Sequence, residues 1–487
     1  MDNHSHPISR DLTVLLFRDT LPSLWQSELH KGLLCLFTLV ILTGCQTTAI
    51  ESSIEQQAPF ALTEDTLSTD EESVPPTAWL ASFNDEQLKL WVEQAVTDNF
   101  TLTEARARVE AARQQRISSR SNLWPTFDLE LNQRRQKSNN DGSAYSNDSS
   151  INVDIAWEVD LWGKLANSRD AAEFRLQAEQ SNYDATKLSL SAQVAKAWFE
   201  LISANQLSNL LRERIANLTT NLEIIQSGYR QGINNALDVY LAQTDLASES
   251  NNLQQQIALE KNAIRQLQLL LGNYPSGSLK ALDTKSLSFP ALAALEAEQL
   301  VSNNVRHRPD IQASYLELLA SDKDLAVAHK NRFPSFRLTA SSGDTSDELK
   351  NLLDSSSLAW NVFGGISQPL FSGGRLKALE QQQRAVVRQK EQQYLSALHT
   401  AFNEVEQSLT NESALKQQLQ SVQSAKNYAE AAEELAFEEY RQGLQTYTAV
   451  LEAQRRAFGA QNTVVSIRNQ LLQNRINLYL ALGGDYQ

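Results

Sequence analysis

Cysteine is nearly absent from this 487-residue chain: Cys35 and Cys45 are the only two, both near the N-terminus. That excludes a disulfide framework and a cysteine-based zinc site. Histidine is scarce as well. His4, His6 and His30 precede Cys45, while His307, His329 and His399 share no helical-face spacing, so no histidine metal cluster is expected. Glycine (17) and proline (11) are few and sit at punctuation points, as in long helices rather than a globular α/β fold. Beyond residue 45 no run of 18 apolar residues occurs, so no apolar helix is expected to span a membrane there. Positive charge is in deficit, with 43 Lys and Arg against 58 Asp and Glu. The net charge of −15 argues against nucleic acid as a partner, which needs a basic face. Catalytic patterns are missing too. Gly373-Gly374-Arg375 lacks the strand-to-helix context of a phosphate loop, and the scattered Ser, His and Asp lack a nucleophile elbow. No catalytic residue, metal or soluble cofactor is expected, and the chain does not read as an enzyme.

What is present is a duplication. Tyr229-Arg230-Gln231-Gly232 recurs as Tyr440-Arg441-Gln442-Gly443, an offset of 211 residues. The same offset relates Gly163 to Gly374, Leu165 to Leu376, Tyr183 to Tyr394, Val194 to Val405 and Leu271-Gly272 to Leu482-Gly483. Two copies are too few for a solenoid, so two halves are expected to pack together.

At the N-terminus, Gly32 to Leu42 is apolar except for Thr38, the length of a secretory signal core and too short for a bilayer span. Leu42-Thr43-Gly44-Cys45 resembles the lipobox of bacterial lipoproteins. The resemblance implies cleavage of 1–44 and a covalent acyl and diacylglycerol lipid on Cys45, with Gln46 permitting outer-membrane sorting. Residues 45–77, rich in Ser, Thr, Glu and Pro, read as a lipidated tether.

Repeat 1 is expected over 78–275. A helix near 101–122 stops before Trp124-Pro125, because the residue before proline disfavours helix. The period then changes to two in a β-hairpin over 124–162. Ile151, Val153, Ile155, Trp157 and Val159 share one face, while Asn152, Asp154 and Glu158 share the other. Strands of about eleven residues suit a tilted membrane strand. The alternation alone fits a half-buried soluble sheet equally well. A long helix over 164–232 follows, on the order of 100 Å. Its seam Leu211, Ile215, Leu218, Leu222, Ile225 and Tyr229 repeats every 3.5 residues, as in a left-handed coiled coil. Gly232 ends it, and a return helix over 237–271 is half as long. Residues 276–306 form a linker with helical potential at 291–302. Repeat 2, over 307–484, places a β-hairpin at 334–371, a long helix at 375–443 and a return helix at 448–482. Gly364-Gly365 suggests a bulge, and Ala425, Ala429, Ala432, Ala436 and Tyr440 form a smaller seam.

Four strands per chain cannot close a barrel, and an open edge is not tolerated in lipid, so membrane strands would require several chains to share one barrel. The polar faces, with Asp128, Glu130, Asp154 and Glu158, suit a water-filled lumen. The helix of about 22 residues before each hairpin can stack end to end with the return helix, nearly matching the long one.

The lipobox, the segment Trp79 to Asn99, the duplicated hairpin and helix order, the two Tyr-Arg-Gln-Gly tips and Ala481-Leu482-Gly483-Gly484 together resemble TolC-like outer-membrane efflux proteins, most closely the lipidated multidrug and heavy-metal branch. The resemblance covers about 45–486. It implies a mainly α fold with a transmembrane β portion: a homotrimer with one 12-stranded β-barrel in outer-membrane lipid and a periplasmic α-barrel, girdled near 276–306. It also implies an exit duct of a tripartite efflux or type I-like secretion system, with a periplasmic adaptor and an inner-membrane pump as partners. Its gate residues fall on Glu452, Asp238 and Tyr440; the basic residue that often completes the lock falls on Gln445. Adaptor docking falls on the tips at Tyr229, Arg230, Gly232, Arg441 and Gly443. The competing reading is a structural periplasmic coiled-coil lipoprotein without a pore; on it, Glu452 and Asp238 are merely solvated helix-end charges. Cys45→Ser should abolish radiolabelled palmitate incorporation; label surviving the substitution would refute the lipobox.

Overall fold

The computed structural model describes residues 78–138, 144–279, 287–292, 303–346 and 358–484. The signal region, the tether with Cys45, all but the first two residues of the helix expected at 291–302 and the two hairpin loop tips lie outside them. A short 3-10 helix (Ala78–Phe83) leads into α1 (Glu86–Asp98) and α2 (Phe100–Ser121), then β1 (Thr126–Ser138) and β2 (Ala144–Val159). The long α3 (Lys164–Arg230) and the return helix α4 (Ala236–Leu270) complete the first half. After a one-turn α5 (Asn303–Arg306), the second half repeats the order: α6 (Pro309–Lys330), β3 (Ser335–Ser346), β4 (Ala359–Ser367), α7 (Arg375–Arg441) and α8 (Tyr447–Ala481). From the hairpin-leading helix onward the two halves match helix for helix. The hairpin-leading helices have 22 residues each, the long helices 67 and the return helices 35.

The long helices stop at Arg230 and Arg441, two residues short of the expected glycines. Gly232 and Gly443 lie outside the helix at φ +74 and +73, a conformation that costs an L side chain steric strain. The chain then folds back so that Ile233 N–H donates to the Gly228 carbonyl and Leu444 N–H to the Glu439 carbonyl, both at 2.9 Å, satisfying carbonyls a helix end leaves open. The first tip is tighter. The Asn234 amide donates to Ile225 O at 3.2 Å and fills the space beside Gly228, where a Cβ would meet it at 2.4 Å.

The return helix and the leading helix of each half are butted together. Asn99 caps α2, accepting from Thr101 and Leu102 N–H through Oδ1, and its Nδ2 donates to the last carbonyl of α4, Leu270 O, at 2.9 Å. In the second half Arg308 stands before α6 and donates to Ala481 O at 3.3 Å and to Glu404 at 2.6 Å. At the first joint a large core gathers. Trp79, Phe83, Leu88 and Val92 pack against Phe199, Leu201 and Ile202 of α3, Leu267 of α4 and Ile476 and Tyr479 of α8. The Trp79 and Tyr479 rings lie 5.7 Å apart, and the Trp198 indole N–H reaches Asp85 at 2.8 Å. The linker residues Leu279, Leu287 and Phe289 lean on the same core. Burying aromatic rings of this size supplies much of the local stability.

All four strands form one antiparallel sheet in the order β1-β2-β3-β4. The two halves are therefore joined through β2 and β3, for example Ile155 opposite Ala340. The first strands have 13 and 16 residues, longer than the eleven expected. The bulge expected at Gly364-Gly365 is absent, since the register runs unbroken from Gly343↔Ala359 to Ser335↔Ser367. Gly365 instead makes room for the Phe363 ring, which lies 2.9 Å from where its Cβ would stand. The alanine seam is also revised. Ala425 and Ala432 are exposed and Ala429 and Ala436 half-buried, while Tyr440, at the end of the seam, packs with Phe437 on the core behind the tips. Tyr229 likewise leaves its seam and is 50% exposed.

Deeper along the second hairpin, α7 and α8 are pinned by a buried ion pair. Arg475 meets Glu412 at 2.5 Å, with Asn474 donating to Ser408 O and to Glu412. Glu412→Ala would remove the carboxylate from a buried guanidinium that keeps only its Tyr479 contact and should destabilise the hairpin by ~3 kcal/mol, whereas Glu412→Leu with Arg475→Met should recover most of that loss. Urea unfolding followed by circular dichroism reads both, and a single variant as stable as wild type would contradict it.

Candidate functional site: the helical tips

The four long and return helices converge just behind the tips. Ile225, Ala242, Tyr447, Val450 and Leu451 form a small core, with Leu222, Val239, Phe437 and Tyr440 against it. Into this apolar cluster the chain places several polar groups. Tyr440 and Tyr447 face each other with ring centroids 5.4 Å apart. Among the described residues neither hydroxyl has a hydrogen-bond partner, nor do Asp245 Oδ2 and Gln454 Oε1. Unmade hydrogen bonds in a buried site are costly, so this packing holds polar groups short of satisfaction.

One cation ties the cluster. The Arg214 side chain, only 9% exposed, donates to Glu249 at 2.8 Å and to the backbone carbonyl of Gln454 at 3.0 Å. Its guanidinium also sits 4.8 Å from the Phe458 ring centroid. Arg214 thus links α3, α4 and α8, joining the first hairpin to the second. Burial pushes the Asp245 carboxyl up against the opposing pull of Arg214 and Arg455, and it pushes Glu433 up in the same way. Burial and the nearby Asp245 charge raise the Tyr447 phenol well above its usual range.

Asp238 and Tyr440 come close enough that the carboxylate, after burial, raises the tyrosine's pKa. No hydrogen bond joins them; Asp238 N–H is instead capped by Asn235 at 3.0 Å. Glu452 lies on the exposed side of α8, apart from the buried cluster. Arg456 at 2.8 Å and Arg455 at 2.9 Å hold it, and Arg456 chiefly lowers its pKa. The two arginines stand three and four residues along one helix, a spacing readable in the sequence and overlooked there. Arg214, Asp245 and Tyr447 carried no such signal, since only the packing of the hairpins brings them together. Arg230 and Arg441 are exposed at the tips, each followed after its glycine by an exposed apolar residue, Ile233 (76%) and Leu444 (69%).

The family description "outer membrane efflux protein" matches residues 91–273 and 300–484, one stretch in each half of the duplication. The chain belongs to the outer membrane efflux protein family. Among curated relatives, the probable efflux pump outer membrane protein SepC of Pseudomonas putida is 30% identical over 419 residues, covering 84% of this chain and 85% of its own. The probable outer membrane lipoprotein SilC of Salmonella typhimurium is 27% identical over 466 residues, covering 93% and 98%. The CmeC outer membrane channel of Campylobacter jejuni shares the fold at a TM-score of 0.77 with 24% identity, over 86% of this chain and 90% of that one. This efflux protein is an outer-membrane channel component.

The raised carboxyls give the tip a pH dependence. Groups that bind protons more tightly when folded stabilise the fold fully below their ordinary values, here 3.8 and 4.5, and lose that contribution as pH rises through the raised ones. Asp245→Asn, which mimics the protonated form, should make the tip resist proteolysis at about pH 7 as wild type does near about pH 4, and should flatten the pH profile. A profile unchanged by the substitution would contradict this assignment.

Proposed function

We propose that three copies of this chain close one twelve-stranded barrel in the outer membrane and continue into a periplasmic helical duct gated at the six tips. The observation that carries this reading is the sheet itself. β1 and β4 each end it with an unpaired edge; across β1 and β2 one face is apolar from Phe127 to Leu131 and the other bears Asp128, Glu130, Asp154 and Glu158. In hydrocarbon such edges must pair, and β1 of one copy with β4 of the next satisfies both. The carboxylate face then lines water. The non-porous coiled-coil reading leaves the exposed apolar face and both edges without a purpose.

The duct conducts passively, and the inner-membrane pump supplies the energy. At the tips, Arg214 and the Tyr440–Tyr447 cluster hold the second hairpin against the first in the resting state. Asp238 and Tyr440 form the lock between the hairpins, reached by a small rotation of the phenol that also gives its hydroxyl an acceptor. The tip residues Tyr229, Arg230, Gly232, Arg441 and Gly443, with Ile233 and Leu444, dock the periplasmic adaptor. Lipid on Cys45 tethers the chain to the same membrane. Glu452 sets local charge at the mouth by holding Arg455 and Arg456.

Purified protein in planar bilayers tests the reading. Wild type should give low resting conductance, and Glu452→Gln, by freeing two guanidinium groups, should shift the reversal potential in a KCl gradient toward anions. An absence of any conductance in wild type and tip variants alike would sink the duct; an unmoved reversal potential would remove Glu452 from the mouth.

A further inference from the structure

The outer end of the first hairpin carries a feature that conduction does not use. On β1 and β2 the apolar face is fixed by the pairs Phe127↔Ile155, Leu129↔Val153 and Leu131↔Ile151. From Val159 to Ile151 the band extends about 27 Å along the strand, close to the outward apolar belt of an outer-membrane barrel once tilted. Past Leu131 the same face continues as Gln133, Arg135 and Lys137, opposite Ser149, Asn147 and Tyr145. These residues lie at the hairpin end farthest from the helices, hence on the external side.

Arg135 and Lys137 both lean on one ring, at 4.8 and 5.8 Å from the Tyr145 centroid. Both are exposed, and neither forms an ion pair among the described residues. Arg134 differs: it sits on the lumen face directly opposite Asp148. The chain is strongly acidic, yet past Asp344, which stands opposite Ile151 on the same face, that face carries two cations without an ion pair among the described residues, braced by an aromatic ring. They stand roughly 14–20 Å along the strand beyond the last apolar pair, where head groups begin.

We propose that Arg135, Lys137 and Tyr145 form a binding site for the phosphorylated head groups of outer-leaflet lipid. Arg135 offers a planar fork to phosphate oxygens and Lys137 a point charge, while the ring restricts both side chains. The acyl chains of the same lipid lie along Leu129, Leu131, Ile151 and Val153. The site rests on the outer-membrane placement of the hairpin and is independent of the gate.

The test uses the full-length channel in phosphatidylethanolamine vesicles doped with a bisphosphorylated glucosamine-based glycolipid or its dephosphorylated counterpart. Native mass spectrometry counts retained lipid, and single-channel conductance is read on the same preparation. Wild type should retain the phosphorylated lipid about tenfold over the other, and Arg135→Gln with Lys137→Gln should erase the difference. Arg135→Lys should keep most of it. Inorganic phosphate at millimolar concentration should not displace the lipid; displacement would assign a free-phosphate site instead. Retention in wild type should weaken with added salt, which keeps the test decisive if the double variant fails to assemble. Equal retention of both lipids, or salt-insensitive retention, would overturn the site. The lipid counts decide the site and the conductance decides the channel, so either can fail alone.

Discussion

A helix of 67 residues, on the order of 100 Å long, cannot be covered by a return helix of 35. The remainder of each long helix would stand with its apolar face in water. Both halves meet this constraint in one way. The helix leading to the hairpin begins where the return helix ends, and the two together run alongside the long one. Everything else follows from where that joint falls. Asn99 and Arg308 meet the open carbonyls, and Trp79 and Phe83 of the N-terminal segment, with Leu279, Leu287 and Phe289 of the linker, pack on the residues flanking the first joint. The core at the first joint is the consequence of a break between two helices.

Most of this was legible in the sequence. The offset of 211 residues located the halves, and the change of apolar period from helical to two located the strands. The lengths alone suggested end-to-end stacking. Some details were not legible because they depend on what packs beside a residue. Gly364-Gly365 looked like a bulge until the Phe363 ring showed why a glycine is needed beside it. The alanine seam of α7 is periodic, yet only its Tyr440 end joins the tip core, with Phe437 beside it, because the large rings bury more area there than alanine does. Glu452 stands out only through the family resemblance, whereas its two arginine partners follow from helical spacing alone.

The duplication explains why the tips resemble one another, and packing explains why they differ. Tyr229 and Tyr440 occupy equivalent positions, but the first faces solvent and the second lies in a core with Tyr447. Asn234 and Gly228 bind the first tip together, and the second has Gln445 and Glu439 in their places. Among the described residues, Tyr440, Tyr447, Asp245 and Gln454 keep buried polar atoms without partners where the second hairpin meets the first. A contact that retains unmade hydrogen bonds is one that can be given up at low cost, and it is concentrated on one side of the pair.

The joints between helices also act as a ruler. A residue added to α4 would move its last carbonyl by about 1.5 Å and turn it by about 100°, away from the Asn99 amide. The same holds for α8 and Arg308. Strands have no such end stop, since their outer loops can absorb length. The chain carries the record of this difference: its paired helices are equal to the residue, whereas β2 and β4 have drifted to 16 and 9. Length has been free to wander only where nothing downstream has to meet.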